Sequence, residues 1–539
     1  MKQAVRSHWS VLAFVLFFPL IIMLFYSEFV RDSELNARLG WFFMLGGFAY
    51  FAHSGWLQKL FLALLAAFTL SGAMDILYAI TFGGVFTDAS FDAIAQTNGS
   101  EGLEFIWAYA TLENTLIVTV YLAIAFLSLK RVLIKTSLQR KEKFLVGFAA
   151  VMLIVAIQQI TMRERVFDTM PGVTGVAIDY ARNAEGFEFL TQHRIERETQ
   201  QPIQAQAEFD GAQTYVVVIG ESATRNHMSL YGYQRPTTPQ LESLQDELVV
   251  FDNVISAFAQ TTPSLSRALT QANTQNNLQI VDAVSLAGVM KNAGFKVWWL
   301  SNQQPRRAPF YGIAKVADEH HYVSNDFYGV NTDRFDGYLL PYYEQALQDS
   351  AEKKVIFLHL MGSHLQYENR YPQETALFNN AEGVSVFGGE LTDSKLYYVN
   401  GYDNSIHYND QLLAQFIKQL KQQSGVASLL YFSDHGEEVF ASTDFKGHGP
   451  DGTTHNMVEV PFVVWRNQAY QQQFAEREQW MQANTSAPGL IEDTFQFVHC
   501  WSGVSSEFYR PTEAMCDQKF TPRERKVYGK EYENELRKP

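Results

Sequence analysis

Apolar residues are distributed in two ways along this chain. Up to about residue 162 they form long, nearly continuous stretches, roughly 10 to 29, 40 to 54, 60 to 82, 110 to 129 and 144 to 162. Each approaches the ~20 apolar residues that a helix needs to cross a bilayer, the second being the shortest and interrupted by glycine. From Tyr215 onward the apolar residues form short runs instead: YVVVIG (215–220), FKVWWLS (295–301), KVIFLHLMG (354–362), ASLLYFSD (427–434) and VPFVVW (460–465). Segments with helical spacing separate them. The clearest is NSIHYNDQLLAQFIKQLKQQ, where Leu412, Leu413, Phe416, Ile417 and Leu420 share one face. Apolar strands alternating with helices predict an α/β fold whose mostly parallel sheet is sandwiched by helices. Between the two regions, residues 163 to 210 carry mixed charge and a Gln-rich end, QQPIQAQAEF, and read as a linker of amphipathic helical pieces.

The basic residues orient the first region. Lys130, Arg131, Lys135, Arg140, Lys141 and Lys143 fill the gap between the fourth and fifth stretches, and Lys2 and Arg6 precede the first. The positive-inside rule makes both cytoplasmic, and five spans then carry the C-terminal domain to the other side. A cleaved signal peptide would explain only the first stretch, so a retained anchor is expected. The expected organisation is a transmembrane domain over 1–162, linker helices over 163–210 and an exported domain over 211–539. A net charge of −15, with no basic tract outside the membrane part, argues against nucleic acid as a partner. The two cysteines, Cys500 and Cys516, both lie in the exported domain, where a disulfide between them is expected over two buried thiols.

Chemistry enters at the ends of the apolar runs. YVVVIG runs into Glu221, KVIFLHLMG is followed by His364, and ASLLYFS runs into Asp434 and His435. In a parallel sheet those ends meet at one edge, where α/β folds collect their ligands. Carboxylates and imidazoles converging from separate strands suit a divalent cation, zinc above all, although any one of them alone reads equally well as a helix cap. The Gly-His-Gly at 447–449 adds a further imidazole, His448. In FDNVISAFAQTTPSLSRALT, Thr261 and Thr262 lie where a loop enters a helix expected to begin near Ser264. A hydroxyl there faces free N–H groups that favour phosphate, and a metal would ease loss of its proton. Read locally, the same run is an N-cap.

Several segments together resemble one family: VVVIGESATRNHMSLYGYQRPTTPQL, NVISAFAQTTPSL, HLMGSHLQYENRYP, YDNSIHYND and YFSDHGEEV with its GHG. They resemble the membrane-bound phosphoethanolamine transferases of Gram-negative lipopolysaccharide modification, within the alkaline phosphatase and sulfatase superfamily. The resemblance implies an alkaline phosphatase-like exported domain in the periplasm, tethered to the inner membrane by a multi-pass anchor. It makes Glu221, Thr261, Asp434 and His435 ligands of a catalytic zinc, with a second zinc as a further option. Thr261, two residues before Pro263, becomes the nucleophile, with Thr262 the other candidate. His364 and His448 match histidines around the phosphoryl group or a second zinc, and His455 is a further member of that group. AIAQTNGSEGLEF resembles the family's donor-lipid segment, which makes Thr97 and Glu101 donor contacts, although Ala93 stands where relatives can carry Asn.

The implied reaction moves phosphoethanolamine from phosphatidylethanolamine onto Thr261 and then onto a lipopolysaccharide acceptor, either a core sugar or phosphate or lipid A. Two rivals share the fold. A sulfatase needs Cys or Ser where Thr261 stands, and a phosphoglycerol transferase shares the threonine but not the GESATRNHMSLYGY stretch. A non-catalytic membrane scaffold has no need of the complete set of Glu221, Thr261, Asp434 and His435.

Overall fold

The structure is a computed structural model that describes residues 2–26, 32–49, 52, 55–84, 109–132, 173, 194, 198, 203–303, 311–323 and 335–537. The described residues fall into two compact units, an N-terminal helical one and a larger C-terminal one.

The first unit contains α1 (Lys2–Tyr26), α2 (Asp32–Ala49), α3 (Gly55–Phe82) and α4 (Leu112–Val132). α3 and the Trp9–Tyr26 part of α1 are long and apolar enough to cross a membrane, whereas the apolar part of α4, Leu112–Ser128, is shorter. Leu12, Val15 and Leu16 of α1 pack with Leu45, Phe61, Leu65 and Ala125 from the other three helices. α2 begins well before the expected 40, because its polar first turns, with Asp32, Glu34 and Arg38, continue the same helix. Arg38 is buried there and bonded to Asp75 of α3 at 2.8 Å, to Glu34 and to the Leu16 carbonyl. A buried guanidinium requires such complete pairing. The expected span at 144–162 lies outside the described residues.

The second unit is built on a seven-stranded sheet: β1 (Gln213–Gly220), β2 (Leu248–Phe251), β3 (Lys296–Ser301), β4 (Glu319–Tyr322), β5 (Lys353–His359), β6 (Val426–Ser433) and β7 (Phe462–Arg466). The spatial order is β2-β7-β6-β1-β5-β3-β4. Pairing is parallel from β6 through β1, β5 and β3 to β4, while β7 runs antiparallel to both neighbours. All five apolar runs are strands, and the sheet is mostly parallel as expected. β2 and β4 are additional, and with four residues each they are too short, and β4 (EHHY) too polar, to stand out as apolar runs.

Every residue of β1 is buried, because helices cover both faces. Tyr215, Val217 and Ile219 join one core with Leu265 of α5 (Thr261–Ala268) and Phe495, Val498 and Trp501 of α7 (Thr494–Ser502). Between α5 and α7 in the chain lies α6 (Asp393–Leu420), whose predicted apolar face, Leu412, Leu413, Phe416, Ile417 and Leu420, is buried. Cys500 of α7 is joined to Cys516 by a disulfide. The carboxyl ends of β1, β5, β6 and β3 therefore lie side by side at one edge of the sheet.

Candidate metal centre

Glu221 follows β1 directly, and Asp434 and His435 follow β6, its parallel neighbour. Their ligand-type atoms lie within 4.8 Å of one another, and all three residues are buried. His435 Nε2 stands 3.3 Å from Glu221 Oε1 and 3.3 Å from Asp434 Oδ2.

The backbone fixes which atoms face inward. Asp434 Oδ1 accepts from the backbone N–H groups of Ser222 (3.1 Å) and His435 (2.7 Å), while buried Oδ2 makes no hydrogen bond. His435 Nδ1 lies 2.8 Å from the Gly436 carbonyl, which can only accept, so Nδ1 carries a proton and Nε2 is turned to the carboxylates. Ser222, at a φ of 56°, is held in the left-handed region. Its hydroxyl donates to Glu221 Oε1 at 3.1 Å. Tyr402 of α6 locks this turn by donating to the Ser222 carbonyl (2.7 Å) and accepting from Thr224 N–H (2.9 Å).

α5 begins at Thr261 rather than near Ser264. Pro263 is tolerated in the first turn because the N–H it lacks would have no partner within the helix. Thr261 Oγ1 reaches Glu221, at 3.2 Å from both carboxylate oxygens.

Electrostatically the cluster calls for positive charge. Burial would raise the Glu221 carboxyl, but the His435 imidazole facing it, with His364 and His448 nearby, holds it well below the usual carboxylate range. Burial and the Glu221 charge push Asp434 up. His435 is raised despite its burial because Asp434 and Glu221 face it. A proton thus stands where a cation would, between two carboxylates, and the unsatisfied Asp434 Oδ2 and His435 Nε2 fit a divalent metal with mixed nitrogen and oxygen ligands.

Alongside lies a second donor group, His435, Glu437 and His448. The rings of His435 and His448 are 4.1 Å apart, and His448 Nδ1 is 2.6 Å from Glu437 Oε2. His364, in the loop after β5, is close enough to influence Glu221. His455 opens a short turn, His455–Met457, belongs to neither donor group, and exerts its charge on Glu459. Thr97 and Glu101 lie outside the described residues.

Three participants were not expected from the sequence. Gln303, just past β3, donates to Glu221 Oε2 at 3.0 Å and to the Leu360 carbonyl at 2.9 Å. Its signal was the FKVWWLS run ending in SNQQ at the same sheet edge. Ser222 and Tyr402 lie within the SATRNH and YDNSIHYND stretches, but only the folded turn brings them together.

Residues 213–493 match the sulfatase family model. The phosphoethanolamine transferase EptC of Escherichia coli K12 is 30% identical over 471 residues, which cover 82% of this chain and 80% of that protein. The chain belongs to the phosphoethanolamine transferases of the sulfatase family. The crystal structure of the periplasmic domain of Escherichia coli EptC in complex with Zn is similar to this member of the family, at 31% identity and a TM-score of 0.57, covering 60% of this chain and 92% of that one. Full-length phosphoethanolamine transferase A (EptA) of Neisseria meningitidis, an integral membrane protein, shares the fold over 95% of this transferase and 97% of its own chain, with a TM-score of 0.65 at 19% identity.

Proposed function

We propose that this transferase moves phosphoethanolamine from phosphatidylethanolamine to a lipopolysaccharide acceptor, through a covalent intermediate on Thr261. The observation that carries the reading is the Thr261 hydroxyl, hydrogen-bonded to both oxygens of Glu221 at the start of α5 and beside Asp434 and His435.

Glu221, Thr261, Asp434 and His435 would hold a zinc ion, which when bound supplies Lewis acidity that lowers the barrier to losing the hydroxyl proton. Thr261 Oγ1 forms the new bond to phosphorus, and the bond from phosphorus to the diacylglycerol oxygen breaks. The positive end of the α5 dipole, at Thr261, favours the negatively charged phosphoryl group. His364 and His448 stabilise charge on its oxygens and carry the proton lost by Thr261 to the departing diacylglycerol oxygen. An acceptor oxygen then attacks the phosphothreonine-type ester from the side diacylglycerol has left, releasing Thr261. His455, Thr97 and Glu101 are assigned to substrate contacts on the family resemblance.

In this reading residues 1–162 form a multi-pass inner-membrane anchor, 163–210 a linker and 211–539 a periplasmic catalytic domain. The two membrane-length helices and the coverage of both EptC and EptA support it. A lipid donor and a lipid-anchored acceptor are then met without either leaving the bilayer.

The test is intact-mass analysis of purified full-length protein incubated with phosphatidylethanolamine. A phosphoethanolamine adduct is expected on the wild type and on Thr262→Ala, and none on Thr261→Ala. An adduct retained by Thr261→Ala would overturn the nucleophile, and no adduct with no diacylglycerol release from wild type would overturn the donor. Chelation should abolish the adduct and zinc restore it.

A further inference from the structure

The Glu437 carboxylate is fully buried, and each of its oxygens accepts a short hydrogen bond. Oε2 accepts from His448 Nδ1 at 2.6 Å, and Oε1 accepts from the Tyr367 hydroxyl at 2.7 Å. Tyr367, also fully buried, opens the turn Tyr367–Asn369 in the loop after β5, and its ring packs edge-on against Tyr402 at 5.0 Å. Tyrosine, carboxylate and imidazole thus form a chain that starts in the core and ends at His448, whose side chain is 24% exposed beside His435.

The direction of the chain defines its chemistry. A carboxylate only accepts, so His448 presents Nδ1–H to Glu437 and leaves Nε2 as the ring nitrogen for a substrate oxygen. Glu437 has no freedom to swing away, because the phenol holds its other oxygen. The tautomer and orientation of the exposed imidazole are therefore set two residues back, by a hydroxyl that reaches the site through Glu437.

We infer that Tyr367 is a positioning residue for phosphoryl transfer: through Glu437 it holds His448 with Nε2 toward the reacting phosphoryl group. The inference rests on the transferase reading and deepens it, since the family resemblance points to His448 but not to what aims it. The alternative use of the same atoms is as a holder of a second metal, because His435, Glu437 and His448 form one donor group.

The experiment uses full-length protein in detergent micelles containing phosphatidylethanolamine, with single-turnover diacylglycerol release as the readout. Tyr367→Phe keeps the ring that packs on Tyr402 and removes only the hydroxyl. Its maximal rate should fall about 10-fold, the scale of losing an orienting partner, with the half-saturating lipid concentration, zinc per chain and melting temperature unchanged. Tyr367→Phe introduced into His448→Gln should cost no further rate, because the hydroxyl acts only through His448. A wild-type rate in Tyr367→Phe, an equal additional loss in the double variant, or zinc loss accompanying the rate loss would each overturn the inference. Failure of the wild type to release diacylglycerol would instead overturn the transferase reading itself.

Discussion

Acidification should destabilise the catalytic unit through one imidazole remote from the metal centre. His499 of α7 is buried, with Nδ1 2.7 Å from the Phe495 carbonyl and Nε2 2.8 Å from Ser506 Oγ. Both contacts suit the neutral ring, with Nδ1–H donating and Nε2 accepting, and burial pushes the group from its ordinary 6.5 down to about 4. Above 6.5 the ring is neutral in folded and unfolded chains alike and contributes no pH dependence. Below it the unfolded chain binds a proton that the folded chain refuses, so stability falls as pH falls, by about 1.4 kcal/mol per unit until the folded ring titrates. Between neutrality and about pH 5 the loss is about 2 kcal/mol, and it approaches about 3 kcal/mol near pH 4. α7 shares its core with Leu265 of α5, so the helix that begins at Thr261 is held by the same packing. The assay is urea or thermal unfolding of wild type and His499→Gln at about pH 7.5 and about pH 5, since glutamine keeps a donor and an acceptor but does not titrate. The stability difference between the two proteins should shift by about 2 kcal/mol in favour of the variant on acidification, other titrating groups cancelling. A difference that does not change with pH would show that His499 does not carry this acid sensitivity.

The remaining predictions concern the metal centre and the fold around it. Gly362→Ala, at a φ of +56°, would bring a methyl group to 2.7 Å from the backbone N and O of Glu221, and should lower both stability and zinc content. Unfolding and metal analysis check it, and a variant with wild-type zinc content and rate would contradict the tight approach. Gln303→Leu removes the donor to Glu221 Oε2 and should weaken zinc binding ~10- to 100-fold in a chelator competition, with the chain still folded. Unchanged affinity would show that Gln303 does not orient the carboxylate. Replacing Cys500 and Cys516 together by alanine opens a loop with a separation of 16 residues and should cost about 3 kcal/mol in unfolding experiments, an effect that reductant on wild type should reproduce.

Much of the sheet and its ligand edge was legible because each apolar run ended abruptly in residues of another kind. YVVVIG against Glu221 and ASLLYFS against Asp434 and His435 gave both the strands and their polarity. The start of α5 was misplaced by three residues because proline usually marks a boundary, whereas within a first turn it costs no hydrogen bond. β4 was invisible because EHHY, an edge strand, has no apolar pattern to display. Gln303, Ser222 and Tyr402 escaped for a different reason. Their roles depend on which strand ends become neighbours and on a positive-φ turn, and no local periodicity encodes either.

Consecutive residues of α6 hold separate loops. Tyr402 fastens the turn after β1, Asp403 pairs with His227, Tyr233 and Arg235, and Asn404 accepts from the backbone N–H groups of Leu377 and Phe378. Arg235 also donates to the Asn380 carbonyl at 2.8 Å, so the loops are tied to the helix and to each other. The stretch between Phe378 and Asp393 is held at both ends and again at Phe387, whose N–H donates to the Phe440 carbonyl. Such a scaffold concentrates its vulnerability: a substitution within this one turn of α6 would loosen several loops at once.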